Sequence, residues 1–359
     1  MTGLSDLTTW QRPMRWLPGS VWAVEQDFLR RLPKVELHVH LEGSFDVDRI
    51  VLLADEAGEK LPVDYQSILR PKSLGELLAR LDWWCGLIRT PEQAVRQAYD
   101  FSARLGADGV AYAEVIVNPT HWRGLGRETL LEAVSAGFEQ ASRDGHCDAW
   151  LLVSLLRSQS SDEALDVVKH LARRPPSRLV GLSIDGNEAA TGPTGQRFAP
   201  AFALGGALGL GRTAHAGESS GPEGIVSALD DLGVSRIDHG VRCVEDRDLT
   251  RRLAREGIAL NVCLTSNVEL LYGSLDRHPL AQLVDGGLAV TINTDDPVTL
   301  GVTLTSEMAL AQEICQWGPR GAIAATENAI EASFASPSKV SELRRRLSAF
   351  AVASRSDGT

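Results

Sequence analysis

The segment that decides the fold is Lys34-Val35-Glu36-Leu37-His38-Val39-His40, an apolar, strand-like run that ends in a histidine pair. On a β-strand, residues i and i+2 point to the same face, so the two imidazoles emerge side by side. Their nitrogen atoms can converge on one point, as a divalent ion such as Zn²⁺ requires. A single His-x-His pair also arises by chance or as a hydrogen-bonded pair in a core, so the rest of the chain has to support a metal site.

Outward from this strand, short apolar runs alternate with stretches of helical period. The predicted strands are 35–40, 110–118, 149–156, 179–184, 212–216, 236–239, 258–264 and 288–294. The predicted helices between them are 91–106, 127–144, 161–173, 196–208, 222–232, 245–256 and 279–285, followed by 306–317 and further helical sequence to about residue 350. Strands that alternate with helices form parallel sheets, and eight strands in one domain favour a sheet that closes into a barrel. The pattern therefore predicts an α/β fold of the TIM type, a (β/α)₈ barrel.

A doubly wound sheet is the alternative architecture. It requires a glycine-rich phosphate turn after an early strand, whereas His40-Leu41-Glu42-Gly43-Ser44 lacks the G-x-G-x-x-G spacing. We therefore interpret residues 1–359 as a single barrel domain with a core of about residues 32–350. Residues 45–84 are long for one connection and predict extra helices after strand 1; further helices are expected at the C-terminus, and the tail 353–359 is expected to be disordered.

Composition excludes several classes of partner. The net charge of −11 argues against nucleic acid, since phosphate contacts need clustered Lys and Arg. The five cysteines include no Cys-x-x-Cys pair, which is typical of reduced thiols rather than of a disulfide framework. Residues 1–31 contain no unbroken apolar segment, and no 18-residue apolar span follows, so we expect a cytoplasmic protein without a signal peptide or membrane partner. The oligomeric state stays open.

Polar residues gather where the predicted strands end, which is where TIM-type barrels carry their functional side chains. The groups beyond the histidine pair, at the ends of the fifth, sixth and eighth strands, are His215-Ala216-Gly217-Glu218, Asp238-His239-Gly240 and Asn293-Thr294-Asp295-Asp296. Each residue alone has a structural explanation, such as a core histidine or an N-cap carboxylate. Together at one rim they are costly to bury unless a metal or substrate compensates them.

Three imidazoles and one carboxylate can hold Zn²⁺ and leave a coordination position open. The ion lowers the pKa of water from about 16 toward about 7, and a further carboxylate and histidine can then transfer protons. The rim residues therefore predict metal-assisted hydrolysis and leave the electrophile open.

Taken in order, these motifs resemble those of the adenosine deaminase family, from about residue 32 to residue 334. The segments that carry the resemblance are Pro33-Lys34-Val35-Glu36-Leu37-His38-Val39-His40-Leu41-Glu42-Gly43-Ser44, Ala113-Glu114-Val115, His215-Ala216-Gly217-Glu218, Asp238-His239-Gly240, Asn293-Thr294-Asp295-Asp296-Pro297, Asn328-Ala329 and Ser333-Phe334. Several ordered motifs specify a family far better than any one of them. The resemblance implies a hydrolase with one Zn²⁺ per chain that deaminates a 6-aminopurine, a small-molecule substrate.

The resemblance also implies a role for each rim residue. The metal ligands would be His38, His40, His215 and Asp295. Glu218 would donate a proton to purine N1, which makes C6 more electrophilic and requires a raised pKa in a dry site. His239 would orient or deprotonate the attacking water, and Asp296 would hydrogen-bond the attacking hydroxide and the purine before ammonia is expelled. Gly186 matches a glycine whose backbone N–H contacts the base.

Some positions depart from the family pattern, and they concern the substrate. Glu42 stands where nucleoside-specific members usually carry Asp near the ribose, and adenine- and aminodeoxyfutalosine-specific relatives look more like this chain there. Ser183 replaces the usual Asp of the fourth-strand motif, and Asp185 lies two residues on. We expect all three side chains to contribute to substrate binding. Ile116 and Leu264 replace a common Arg and a common Pro.

The first hypothesis for the substrate is adenosine or 2′-deoxyadenosine, because Gly301-Val302-Thr303-Leu304-Thr305-Ser306-Glu307 resembles nucleoside-specific members. The extra methylene of Glu42 shortens the pocket where a ribose would sit, so adenine, aminodeoxyfutalosine and N6-substituted adenines are the alternatives. There are two further alternatives. The protein could hydrolyse an amide, lactone or phosphoester instead, or it could bind metal without being a catalyst.

Overall fold

The computed structural model describes residues 27–69, 74–192 and 195–356. Residues 1–26, where the sequence predicts no signal segment, and residues 357–359 of the expected tail lie outside this part. Within the described ranges, parallel strands alternate with helices, and together they form the (β/α)₈ barrel that the sequence predicts.

The strands run parallel in two sheets that together form the barrel wall. They are β1 Lys34–His40, β2 Val110–Val117, β3 Asp148–Leu156, β4 Leu179–Asp185, β5 Gly211–Arg212, β6 His215–Ala216, β7 Arg236–His239, β8 Ala259–Val262 and β9 Val290–Ile292. One sheet has the order β1-β2-β3-β4-β5, the other β6-β7-β8-β9. β5 and β6 are two halves of the fifth barrel strand, and Thr213 between them donates its N–H to Leu182 O in β4 at 3.0 Å.

Hydrogen bonds between β1 and the residues after β9 close the barrel. His40 N–H donates to Asp295 O at 2.8 Å, and Asp295 N–H donates to His38 O at 3.2 Å. Asn293 Oδ1 bridges the same gap, since it accepts from the backbone N–H groups of Leu37 at 2.8 Å and His38 at 3.1 Å. The closure brings Asp295 beside the histidine pair.

Helices surround the strands. They are α1 (described over residues 27–31), α2 Val47–Ala57, α3 Leu74–Cys85, α4 Pro91–Ala107, α5 Arg127–Arg143, α6 Ser161–Arg173, α7 Glu188–Thr191, α8 Gly195–Ala207, α9 Pro222–Asp230, α10 Arg247–Glu256, α11 Leu264–Asn267, α12 Leu280–Asp285, α13 Pro297–Leu300, α14 Leu304–Cys315, α15 Pro319–Ala332 and α16 Pro337–Ser356. Capping boxes at Thr90 and Ser160 set the starts of α4 and α6. None of the described helices combines the length and apolarity needed to cross a membrane.

The long segment after β1 forms extra helices, as predicted. It contains a 3₁₀ turn over Glu42–Ser44, helix α2, a second 3₁₀ turn over Tyr65–Ser67 and helix α3. Trp84, near the end of α3, donates its Nε1–H to Glu42 O at 2.9 Å. This hydrogen bond ties α3 to the chain immediately after the histidine pair.

The C-terminal helix α16 continues to Ser356, so the prediction of disorder is wrong for residues 353–356. Leu343, Leu347 and Ser354 of this helix are buried against the rest of the protein. Packing of this kind stabilises a helix end more than residue propensity does, and the polar composition of the tail did not reveal it.

Candidate metal centre and active site

The four side chains predicted to bind a metal meet at the carboxyl end of the barrel. They are His38, His40, His215 and Asp295, and one ligand atom from each lies within 4.8 Å of the others. His40 Nε2 is 3.1 Å from His215 Nε2, and Asp295 Oδ1 lies 3.2 Å from His38 Nε2. Ligand atoms at about 2.1 Å from a tetrahedrally coordinated ion are ~3.4 Å apart, so this donor set fits a divalent metal.

Groups behind the histidines orient their rings. His215 Nδ1–H donates to Ile184 O at 2.9 Å, which leaves Nε2 without a proton and available to a metal. His38 Nδ1 lies 3.2 Å from Oδ1 of the buried Asp238. Burial lowers the pKa of His40 to about 4, so this ring is neutral at physiological pH. Neutral imidazole is the form that binds metal.

Asp295 and His239 hold strained backbone conformations, with φ of 64° and 63°. Among the described non-glycine residues, only Gln316 also has a positive φ. The left-handed conformation costs an L-residue roughly 1–2 kcal/mol, so tertiary contacts have to hold both residues in place. For Asp295 these include the barrel-closing hydrogen bonds and Ser266, whose Oγ donates to Asp295 Oδ2 at 2.6 Å. The other carboxylate oxygen, Oδ1, therefore faces His38 and His40.

Glu218 and His239 lie next to each other at the cavity above the metal ligands. His239 Nε2 is 3.5 Å from Glu218 Oε1, and both residues line the cavity. Burial raises the pKa of Glu218 above its ordinary value, although the neighbouring His239 opposes the shift. The carboxyl group is thus suited to carry a proton at a pH where an exposed glutamate has lost it.

Glu188 holds the backbone of Glu218, a contact that no sequence motif had indicated. Its Oε2 accepts from the N–H of Glu218 at 3.0 Å and of Ser220 at 3.2 Å, while Oε1 accepts from Ser220 Oγ at 2.7 Å. Arg157 Nη2 lies 3.8 Å from Oε1, and both side chains are buried. The sequence feature that could have identified Glu188 is its position: it is an acidic residue three positions beyond β4, on the rim where the other carboxylates lie.

Glu42 is buried at the cavity wall with only one of its carboxylate oxygens satisfied. Oε1 accepts from Asn118 N–H at 2.8 Å and from Trp122 Nε1–H at 2.7 Å. Oε2 has no hydrogen-bond partner among the described residues and lies 4.0 Å from His40 Nδ1, beyond hydrogen-bond reach. Burial raises the pKa of Glu42 to about 7. An unpartnered buried acceptor is costly in the free protein and favours a ligand that donates to it.

Asp296 lies beside Asp295 and packs directly on the 3₁₀ turn after β1. A Cβ atom placed on Gly43 would come within 1.9 Å of Asp296 Oδ1, so only glycine permits this approach. Oδ1 is buried and accepts no hydrogen bond from the described residues. Burial, followed by the charge of Asp295, raises the pKa of Asp296 well above its ordinary value. Asp296, which also lines the cavity, is therefore a second buried carboxyl group with one unsatisfied oxygen.

The end of β4 contributes Asp185 and Gly186 to the cavity. Asp185 Oδ1 accepts from Asn118 Nδ2 at 2.6 Å. Gly186 has a φ of 99°, which a residue with a side chain rarely adopts.

Ser183, which we expected at the substrate, lies elsewhere. Its Oγ donates to Asp238 Oδ2 at 3.3 Å, and it is not among the residues that line the cavity. Because Ser183 is two residues before Asp185 on the same strand face, its side chain reaches the layer beneath the metal ligands. Ile116 and Leu264 are likewise buried and do not line this cavity.

His121 is a further cavity residue that sequence reasoning had left in a loop. Its Nδ1 lies 2.6 Å from Asp82 Oδ1, on the α3 helix that covers the site. The apolar part of the same wall comes from Leu77, Leu78 and Leu81. Only the folding of α3 over the rim brings these residues to the cavity, so no local pattern could have identified them.

The chain is similar to known proteins in both sequence and fold. The sequence profile described as adenosine deaminase matches residues 33–350. The chain is 34% identical over 334 residues to an adenine deaminase of Rhodospirillum rubrum, covering 91% of this chain and 99% of the relative. The crystal structure of the adenine deaminase of Arthrobacter aurescens is 30% identical, with a TM-score of 0.83 over 89% of this chain and 99% of that one. An amidohydrolase of Burkholderia ambifaria, solved with bound Zn, is 27% identical with a TM-score of 0.85, covering 93% and 94% of the two chains.

Proposed function

The chain belongs to the adenosine deaminase family, and on that premise we propose that it hydrolyses adenine to hypoxanthine and ammonia. Membership of this family shows the general reaction class: the protein is a metal-dependent hydrolytic deaminase of aminopurines. The relatives favour adenine, the alternative in the sequence-based hypothesis, over adenosine, which was its first choice.

The observation that carries the choice of adenine is the unsatisfied carboxylate oxygen of Glu42. A free purine base has an N–H on its imidazole ring that can donate to this oxygen. A nucleoside has a carbon in place of that hydrogen, so it would bury Oε2 against the sugar without providing the bond. Asn118 and Trp122 fix the other oxygen, so the side chain has little freedom to turn away.

We propose Zn²⁺ as the metal, one ion per chain, held by His38, His40, His215 and Asp295. The donor set and spacing suit this ion, and the similar amidohydrolase of Burkholderia ambifaria was solved with Zn bound. When bound, the ion supplies a nucleophilic water at neutral pH.

The protein's own residues then bind the base and move protons. Glu218, whose pKa is raised by burial, donates its proton to purine N1 and makes C6 electrophilic. His239 and Asp296 orient the attacking water, and the N–H of Gly186 contacts the base beside Asp185. Oxygen bonds to C6 and the exocyclic C–N bond breaks, while the two protons of the attacking water leave the oxygen. One goes to the amino group, which departs as ammonia, and the other returns to Glu218.

A substrate screen tests this proposal. The purified protein is analysed for metal and then assayed for release of ammonia from adenine, adenosine and aminodeoxyfutalosine, and for release of methylamine from N6-methyladenine and N6-methyl-AMP. We expect the highest kcat/KM with adenine. A higher kcat/KM for any of the others would overturn the choice of substrate. Absence of ammonia or methylamine release from all of them by metal-loaded protein would overturn the deaminase assignment.

The matched variant is Glu42→Asp, which keeps the charge and withdraws the carboxylate by one methylene. We expect this variant to lose kcat/KM for adenine by roughly 10-fold or more, because one hydrogen bond to a buried charged group contributes about 1.5–3 kcal/mol. The ratio of adenosine to adenine turnover should rise. An unchanged ratio would show that Glu42 does not select the free base.

A further inference from the structure

We infer that His239 is held as the neutral tautomer with its proton on Nε2, by hydrogen bonds that start at the backbone N–H of Leu280 and pass through His278 and Asn267. In this form His239 is a hydrogen-bond donor to the cavity and does not take the proton of the attacking water. The assignment of the tautomer stands on hydrogen-bond geometry, whereas its catalytic consequence rests on the proposed function.

The first link fixes the state of His278. Leu280 N–H donates to His278 Nδ1 at 3.1 Å. A backbone amide can only donate, so Nδ1 has to be an unprotonated acceptor. The single ring proton of His278 is therefore on Nε2. Burial also lowers the pKa of His278 to about 4, which agrees with a neutral ring.

The second link fixes the side-chain amide of Asn267. His278 Nε2, now a donor, lies 3.4 Å from Asn267 Oδ1. The amide oxygen of Asn267 therefore faces His278, and its NH₂ group faces the opposite way. Asn267 and His278 are both buried, so solvent does not compete for either group.

The third hydrogen bond, from Asn267, fixes the tautomer of His239. Asn267 Nδ2 lies 3.1 Å from His239 Nδ1 and can only donate. A proton on Nδ1 would place two donors against each other, so Nδ1 accepts and the ring proton is on Nε2. That nitrogen is on the Glu218 side, 3.5 Å from Glu218 Oε1, at the cavity.

The chain of hydrogen bonds distinguishes between the two roles that the sequence left to His239. A ring with a proton on Nε2 and an accepted hydrogen bond on Nδ1 has no free lone pair for the proton of water. It can instead donate a hydrogen bond to the attacking oxygen and orient it. Asn267 and His278 are then positioning residues, which act on the reaction only through His239.

Nitrogen NMR of the histidine rings tests the tautomer directly. The metal-loaded protein is labelled with ¹⁵N-histidine, and two-dimensional ¹H–¹⁵N correlation of ring nitrogens and carbon-bound protons is recorded without substrate. The signals of His239 are assigned by their loss in His239→Asn. We expect a pyrrole-type Nε2 and a pyridine-type Nδ1 for His239. The reverse pattern, or two pyrrole-type nitrogens, would overturn the inference.

Variants of the positioning residues supply the controls. In Asn267→Asp the carboxylate can only accept, so the proton should appear on His239 Nδ1. His278→Gln keeps an N–H donor to Asn267 and should retain the wild-type pattern, whereas His278→Phe removes the donor and should give a mixture. An unchanged His239 spectrum in Asn267→Asp would contradict the inference.

Kinetics then connect the tautomer to turnover. Because loss of an outer partner of this kind costs roughly 10- to 100-fold, we expect Asn267→Asp to lose kcat by that factor with its metal content unchanged. We also expect His278→Gln to keep its activity. Unchanged kcat in Asn267→Asp with the proton shifted to Nδ1 would overturn the donor role. If the wild-type spectrum is as expected and no aminopurine is deaminated, the proposed function fails while the tautomer assignment stands.

Discussion

The carboxylate of Glu188 accepts a 3.0 Å hydrogen bond from the backbone N–H of Glu218, the residue to which we assign proton donation. The same carboxylate binds the N–H and hydroxyl of Ser220, so it holds the loop on both sides of residue 219. A carboxylate buried beneath a catalytic loop fixes the loop more firmly than solvent-exposed contacts do, because hydrogen bonds to a charged group are stronger.

Removal of this carboxylate should therefore impair catalysis without loss of the metal. We expect Glu188→Ala to lower kcat by roughly 10- to 100-fold, as is typical for residues that position a catalytic group. Glu188→Gln keeps one acceptor oxygen and should recover part of the loss. Steady-state kinetics with metal analysis check this, and wild-type kcat in Glu188→Ala would contradict it.

Separate variants of Glu218 and His215 should distinguish proton donation from metal binding. Glu218→Gln removes the acidic proton from a residue outside the ligand set, so we expect retained metal and kcat lower by roughly 10²- to 10⁴-fold. His215→Ala removes a ligand and should lose both metal and activity. Metal analysis of the two variants beside their turnover numbers is the measurement. Full activity of Glu218→Gln would mean that another group protonates the purine.

Gly43→Ala should disturb Asp296. The added methyl group would lie within 1.9 Å of Asp296 Oδ1, so either the 3₁₀ turn or Asp296 has to move. We expect a loss of about 1–3 kcal/mol in the free energy of unfolding together with a reduced kcat/KM. Gly75→Ala in α3, where a Cβ meets no atom within 4 Å, is the matched control and should be neutral or slightly stabilising. Equal unfolding midpoints for the two variants would refute the prediction.

Glu307 should make stability depend on pH. Its buried carboxylate accepts from Thr265 N–H at 2.9 Å and from the Thr265 hydroxyl, and burial raises its pKa to about 7 from 4.5. Between these values the folded protein keeps a proton that the unfolded chain has lost. The stabilisation that comes from burying Glu307 in its protonated form is therefore present in full below pH 4.5. It is lost as the pH rises toward about 7, where the buried group has to ionise.

The matched variant for this prediction is Glu307→Gln, which has nearly the same shape and does not titrate. We expect the difference in unfolding free energy between wild type and Glu307→Gln to change by up to about 3 kcal/mol between pH 4.5 and pH 7.5. Denaturant unfolding at several pH values measures it. A difference that does not vary with pH would show that folding does not raise the pKa of Glu307.

Much of the fold could be predicted because its signals are local. β7, Arg236–His239, and α6, Ser161–Arg173, begin and end where the sequence predicts, since strand and helix periods and a capping box depend on neighbouring residues. The short β9, Val290–Ile292, is the counterexample: its predicted range, 288–294, was longer, because the residues on both sides continue the strand-like composition and hydrogen-bond to β8.

The sequence by itself determined the alternation of strands and helices, the spacing of the histidine pair and the carboxylates that follow the later strands. The tertiary structure alone decided that Ser183 contacts Asp238, that Glu188 holds Glu218, and that His278 and Asn267 set the ring of His239. The physical reason is the range of the interactions. Periodicity and capping act over a few residues, whereas these hydrogen bonds mostly join residues about 30 to 55 positions apart, and their partners are set by strand register and loop path.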